Sequence, residues 1–213
     1  MTNHLISPIL ESYCRDHSSP DDAQLDTVVR YTHTQTRQPQ MISGPWQGTF
    51  LQMISEMVKP NYIVELGTFT GYSAIRLARG LAPNGQLISI ESNVERLHST
   101  RILLEDFSEM ENISLIQGSA LDIIPTLEDG IDLVFIDAKK DEYQAYYEAI
   151  LPKMQSGGII LIDNILWYGK VLNEQKDPTT NHLDQLNKLI TEDSRVTNCL
   201  MPIRDGVMMV RVL

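Results

Sequence analysis

The chain is short of positive charge. Seventeen Lys and Arg stand against 28 Asp and Glu in 213 residues, a net charge of −11. A broad nucleic-acid footprint needs clustered cations, so this balance weighs against one while leaving room for a small basic patch. Cysteine is scarce too: Cys14 and Cys199 lie far apart and form no CxxC pair. With no signal-peptide pattern in residues 1–20, both are expected to be reduced thiols in a cytoplasm. His4, His17, His33, His98 and His182 are scattered, so no closely spaced His/Cys ligand cluster exists. No apolar run approaches the roughly 18 residues of a membrane span. There is no internal repeat and no linker rich in Pro, Gly or Ser.

What remains is enough for one folded domain, with 42% hydrophobic residues to fill a core. Tyr62–Leu66, Gln86–Ile90, Ile113–Ile116, Ile131–Ile136 and Gly158–Ile162 read as short buried strands. Between them Tyr72–Leu81, Val94–Phe107, Ala120–Leu127 and Asp141–Leu151 carry helical spacing. Apolar strands alternating with helices predict a parallel sheet covered on both faces. After residue 178 the pattern changes: a helix at Leu183–Ile190, then strands Val196–Met201 and Val207–Val212 across Pro202-Ile-Arg-Asp-Gly206, an antiparallel pair. Ser7–Cys14, Asp22–Thr34 and Trp46–Val58 read as three further helices. The expected organisation is a single domain over 1–213, with a helical part at 1–58 and an α/β core at 59–213.

Strand Ile63-Val-Glu-Leu66 runs into Gly67-Thr-Phe-Thr-Gly71, after which Tyr72 starts a helix. Glycines there let the backbone approach a ligand, and an acid ending the next strand, Glu91, suits the two hydroxyls of a ribose. The spacing is not G-x-G-x-x-G, and Glu65, two residues before the first glycine, would repel a diphosphate. The triphosphatase pattern G-x-x-x-x-G-K-[ST] is absent as well. S-adenosylmethionine has a ribose, an amino-acid end and no phosphate, and fits best. The plainer alternative makes Glu65 a solvated strand-end charge and the glycines part of the turn alone.

Two later strands end in polar groups. Ile131–Ile136 is followed by Asp137, Lys139 and Lys140, and Ile159–Ile162 by Asp163-Asn164. In open parallel sheets ligands bind at the carboxyl ends of the strands. Two carboxylates and an amide oxygen are hard donors, suited to Mg²⁺, Mn²⁺ or Ca²⁺. Read singly, Asp137 is equally a helix cap and Asp163-Asn164 an Asx turn. Beside a divalent cation the Lys140 ammonium is disfavoured, so its pKa is expected to fall and make it a general base, while Lys139 reads as a surface charge.

Glu65-Leu-Gly67-Thr-Phe-Thr-Gly71-Tyr-Ser73, Asp137-Ala-Lys-Lys140 and Asp163-Asn-Ile-Leu-Trp167-Tyr-Gly169 resemble the metal-dependent class I O-methyltransferases, which include the catechol and caffeoyl-CoA enzymes. The resemblance runs from about Met41 to Ile203-Arg-Asp-Gly206. It implies a Rossmann-like methyltransferase with a mostly parallel seven-stranded sheet, an antiparallel C-terminal hairpin and N-terminal helices. It implies S-adenosylmethionine contacts from Ser43, Glu65, Gly67, Thr68, Ser73, Glu91, Ala120 and Asp137, metal ligands Asp137, Asp163 and Asn164, and catalysis by Lys140 with Asp137. Trp167 would help wall the acceptor site. The implied acceptor is a small catechol-type aromatic such as a caffeoyl compound, handled by a cytoplasmic homodimer. The alternative within the family is a hydroxylated wobble uridine of tRNA, against which the acidic balance counts. Two departures stand out: Met208 where the catechol enzyme has a glutamate, and Arg204 where many small relatives have glycine.

Overall fold

The computed structural model describes residues 5–213, so His4 lies outside the described residues. They divide into two compact units: Ser12–Ala120, and residues 121–213 with residues 5–11. Helix α1 (Pro8–Asp16) buries none of its residues.

The Ser12–Ala120 unit holds α2 (Ala23–Gln35), α3 (Gly44–Val58), β1 (Tyr62–Leu66), α4 (Tyr72–Ala78), β2 (Gln86–Glu91), α5 (Val94–Leu104) and β3 (Ile113–Gln117). β1 pairs in parallel with β2, and β2 with β3. Every residue of β1 is buried, which explains its unbroken apolar run apart from Glu65. Asp22 and Asn93 cap α2 and α5, accepting from Leu25 N at 2.9 Å and Arg96 N at 2.8 Å.

α6 (Ala120–Ile123) leads into the second unit, which continues with β4 (Ile131–Ile136), α7 (Tyr143–Ile150), β5 (Met154–Asp163), α8 (Pro178–Glu192), β6 (Val196–Met201) and β7 (Val207–Val212). β4 and β5 are parallel, while β7 runs antiparallel to both β5 and β6. All seven strands belong to one sheet, in the order β3-β2-β1-β4-β5-β7-β6. The fold is therefore α/β and mostly parallel, with the antiparallel C-terminal hairpin expected.

Several boundaries depart from the periodicity reading, each for a local reason. The helix expected over Ala120–Leu127 stops at Ile123 and becomes a 3-10 turn, because Pro125 cannot donate the next helical bond. The helix expected over Asp141–Leu151 is α-helical only from Tyr143 to Ile150, with 3-10 turns at Lys140–Glu142 and at Leu151–Lys153 around Pro152. α8 starts at Pro178 rather than Leu183. Its polar first turn shows no apolar period, but Asp177 caps it through Thr180 N at 2.8 Å. β5 begins at Met154, because the exposed Gln155-Ser156 stretch continues the strand across a register shift opposite Ile131 and Leu133.

Among the described residues Cys14 and Cys199 are free thiols, and no helix is long and apolar enough to cross a membrane.

Candidate active site

In the Ser12–Ala120 unit the parallel register sets Glu65 of β1 opposite Ser89 of β2, and both are fully buried. The Ser89 hydroxyl donates to the Glu65 carboxylate and shares a 2.6 Å hydrogen bond with the Thr68 hydroxyl. The turn after β1 then needs left-handed backbone. Gly67 sits at φ 100° with its N–H on Ile90 O at 2.9 Å, Phe69 at φ 50°, and Gly71 at φ 78°. A Cβ on Gly71 would lie 2.4 Å from Leu104 Cδ1, so another residue would have to displace that side chain and also hold the left-handed φ. Ser73 follows in the first turn of α4, almost buried.

Glu91, at the end of β2, is 5% exposed and holds this turn from the other side. Its Oε2 accepts from Phe69 N at 3.1 Å and its Oε1 from Asn93 N at 2.9 Å. The Arg96 guanidinium stands 3.4 Å from it and 5.4 Å above the Phe69 ring. Glu65 and Thr68 are thus joined through Ser89, while Glu91 holds the next residue of the turn, Phe69, by its backbone N–H. Ser43, at the start of α3, and Ala120, at the start of α6, lie in the same unit and are also buried. Ser89 was not singled out from the sequence. It is a small polar residue within an apolar strand, and its partner becomes visible only with the register.

The second unit carries the acidic edge. Asp137 directly follows the wholly buried β4, and its Oδ1 accepts from Lys140 Nζ at 2.6 Å. Lys140 also donates to the Tyr143 hydroxyl at 2.6 Å, with Nζ 4.8 Å from the ring centroid. Asp163 ends β5 at 3% exposure, and its Oδ1 accepts from Asn164 N at 2.8 Å. Asn164 itself is left-handed, at φ 58°. Lys139 is exposed and paired with Glu142 at 2.7 Å, a surface charge as read.

Burial pulls the Lys140 ammonium down, but Asp137, the Tyr143 oxygen and Asp163 outweigh it and hold the group above the ordinary lysine range. Burial in turn pushes the Tyr143 phenol up, so it stays a neutral hydroxyl. The expected fall of Lys140 belongs to a site with further positive charge. With anionic neighbours alone the direction reverses. Two carboxylates that already act on one cation, beside a carboxamide, are a donor set that fits a hard divalent ion. Among the described residues no three His, Cys, Asp or Glu side chains gather for a metal. The expected set has only two carboxylates, so its third donor must be the Asn164 amide.

The segment after Asp163 is bent against its own side chains. Trp167 and Tyr168 sit at φ 48° and 56°, ahead of Gly169 at 74°. Non-glycine residues in this region cost on the order of 1 kcal/mol or more each and persist only when surrounding bonds fix them. Those bonds come from the β6–β7 connection and from α8. Ile165 N donates to Gly206 O at 3.1 Å, Leu166 N to Asp205 O at 3.0 Å, Tyr168 N to Asp205 Oδ1 at 2.5 Å, and Asn187 Nδ2 to Ile165 O at 3.2 Å. The Trp167 and Tyr168 rings meet at 5.5 Å. Met208 is 1% exposed, paired in register with Ile162 and Leu200, so this position offers an apolar wall rather than an acid. Tyr143 and Asp205 were not foreseen. Tyr143 lies three residues beyond Lys140, a spacing that was legible, whereas the role of Asp205 depends on which loop packs against it.

A mostly parallel seven-stranded sheet whose first two strands end in buried acids around a glycine turn defines a Rossmann-like class I methyltransferase. Residues 15–213 match the family model for O-methyltransferases, and the chain belongs to that family. Caffeoyl-CoA O-methyltransferase 1 of Eucalyptus globulus is 30% identical over 183 residues, covering 80% of this chain and 74% of the relative. The flavonoid 3',5'-methyltransferase of Vitis vinifera is 31% identical over 180 residues, 78% of this chain and 77% of the relative. Among solved structures, the O-methyltransferase of Bacillus cereus in complex with SAH superposes with a TM-score of 0.89 at 28% identity, covering 96% of this chain and 97% of the other. TomG of Streptomyces achromogenes, in complex with SAM, gives 0.88 at 26% identity, with 96% of each chain covered.

Proposed function

We propose that this O-methyltransferase moves the methyl group of S-adenosylmethionine to one hydroxyl of a small catechol-type aromatic, such as a caffeoyl compound, with a divalent cation, Mg²⁺ foremost, held by Asp137, Asp163 and Asn164. The observation that carries the reading is the pair of strand-end carboxylates, Asp137 and Asp163, acting together on Lys140.

S-adenosylmethionine supplies an electrophilic methyl on a sulfonium. Glu65, with Ser43 and Ser73, receives its amino-acid end, and the fixed Glu65–Ser89–Thr68 network keeps that carboxylate turned to the glycine turn. Glu91 receives the ribose hydroxyls. Its carboxylate has about four acceptor directions, and two backbone amides and a long contact from Arg96 use only part of them. A divalent cation supplies Lewis acidity toward two vicinal oxygens and positive charge that competes with Lys140 for the carboxylates. Lys140 would act as base only after releasing its own proton to solvent, which that added positive charge favours; as the neutral amine it would take the hydroxyl proton at Nζ, which the Tyr143 hydroxyl keeps at the edge. Trp167 walls the acceptor on its apolar side. Transfer turns an oxyanion and a sulfonium into neutral products, so a dry site favours it. A cytoplasmic homodimer is the setting that agrees with two free thiols and the family.

Labelled methyl transfer to catechol, caffeate, caffeoyl-CoA, and unmodified or hydroxylated tRNA, each with Mg²⁺ and with EDTA, tests the reading. Mg²⁺-dependent labelling of a dihydroxy aromatic is the expected result. Labelling of tRNA alone, or undiminished labelling in EDTA, would overturn the acceptor or the metal respectively.

A further inference from the structure

Thr100 is a helix residue whose hydroxyl leaves its own helix. Within α5 the neighbouring Ser99 makes the ordinary bond of a helical hydroxyl, donating to Glu95 O four residues back at 3.0 Å. Thr100, 1% exposed, instead donates to Phe69 O in the glycine turn at 2.6 Å. Its methyl faces the same turn: a Cβ built on Gly71 would lie 3.1 Å from Thr100 Cγ2. One side chain therefore meets two left-handed residues of the turn, Phe69 at φ 50° and Gly71 at φ 78°.

Phe69 needs such a hold. A non-glycine residue at this φ is strained and persists only where its surroundings fix it. Its N–H goes to Glu91 Oε2 at 3.1 Å, and its carbonyl takes the Thr100 hydroxyl. The two holds are not equivalent. Glu91 is the acid read as receiving the ribose, so its carboxylate is shared between ligand and turn. The single hydroxyl proton of Thr100 is committed to the turn alone.

We propose that Thr100 is a positioning residue for the cofactor: its hydroxyl keeps the glycine turn in the form that S-adenosylmethionine binds, before the cofactor arrives. This rests on the reading of the turn over 67–71 as the cofactor site. A turn already in its binding form loses no further freedom when the ligand arrives. One that visits that form only part of the time binds more weakly by the same fraction.

The test is calorimetric binding of S-adenosylmethionine and of S-adenosylhomocysteine to wild type, Thr100→Val and Thr100→Ser, with hydrogen exchange over residues 67–73 in the free proteins. Thr100→Val keeps the shape of the side chain and removes the donor. It is expected to raise both dissociation constants about tenfold, as for a turn competent in about one molecule in ten, and to quicken exchange in the turn. The two ligands should lose equally, because the hold acts on the turn and not on the methyl group. Thr100→Ser, which keeps the donor without the methyl, should bind within about threefold of wild type. Wild-type affinity in Thr100→Val beside a lowered Tm would leave Thr100 a structural role only and overturn the proposal, as would an equal loss in Thr100→Ser. If Thr100→Val does not fold, Thr100→Ala set against Thr100→Ser decides by the same criterion. A wild type that binds neither ligand refutes the cofactor reading and this proposal with it, whereas a wild type that binds both and is matched by Thr100→Val refutes the proposal alone.

Discussion

Removing Asp21 should destabilise the protein severely, although it lies in a loop and touches no residue given a chemical role. Its side chain is 2% exposed, and it accepts from the Arg76 guanidinium and from the Tyr72 hydroxyl at 2.7 and 2.9 Å to its two oxygens. Arg76, with 5% of its side chain exposed, has two other partners: the Gln52 amide oxygen at 2.7 Å and the Tyr72 hydroxyl at 3.3 Å. Asp21→Ala therefore leaves a desolvated guanidinium and strips Tyr72 of its acceptor. Losing one partner of a buried pair costs about 3–5 kcal/mol, and the lower end applies here because Gln52 still solvates Arg76. For a chain of this length each kcal/mol moves Tm by about 2–4 °C, so a drop of about 6–12 °C is expected. Thermal unfolding checks it, alongside S-adenosylmethionine affinity, since Tyr72 directly follows Gly71 and opens α4. Asp21→Leu with Arg76→Met, which removes both charges, should recover much of the loss. A single variant as stable as wild type would refute the reasoning, because it would mean that water reaches the guanidinium.

Asp137→Ala should lower methyl transfer by about 100-fold or more while keeping the far-UV dichroism spectrum, since it removes the anchor of Lys140, and the carboxylate proposed to hold the cation, from an edge outside the core. Gly71→Ala should cost about 1–3 kcal/mol in urea unfolding and weaken cofactor binding, because its Cβ enters Leu104 at a left-handed φ. Stability should fall with acid. Asp193, whose carboxylate the Arg195 guanidinium holds low, and Glu142, held low by Lys139, titrate below their unfolded values. Their contribution is present above the ordinary carboxylate pKa and is lost as pH drops through about 4 toward the folded values. Asp193→Asn should flatten that limb in a Tm-against-pH series.

Much of the fold was legible because its elements are locally encoded. β1 and β4, buried throughout, begin and end where their nearly continuous apolar runs do, and β6 and β7 keep the bounds their pattern and the Pro202–Gly206 connection set. Strands buried on both faces need nearly continuous apolar sequence, which is what made β1 and β4 stand out. The glycine turn was legible for a similar reason: its left-handed positions admit few residues, and Gly67 and Gly71 advertise them. Signals failed where the local pattern was polar, as in the first turn of α8 and the start of β5.

The residue types of the candidate site were thus readable, two strand-end acids, an amide and a lysine, because a strand that stops at a sheet edge leaves its next residues there whatever packs around them. Tertiary structure alone decided their states and companions. Ser89 meets Glu65 only through the strand register, and Tyr143 meets Lys140 only through the 3-10 turn between them. The direction in which the Lys140 ammonium shifts depends on burial and on Asp163, more than twenty residues away in the chain. Trp167, Tyr168 and Arg204 carry no sequence mark of left-handed backbone. Their conformation comes from hydrogen bonds between two loops that adjoin only once β5 and β7 are paired, and such long-range electrostatics and pinning have no local pattern to read.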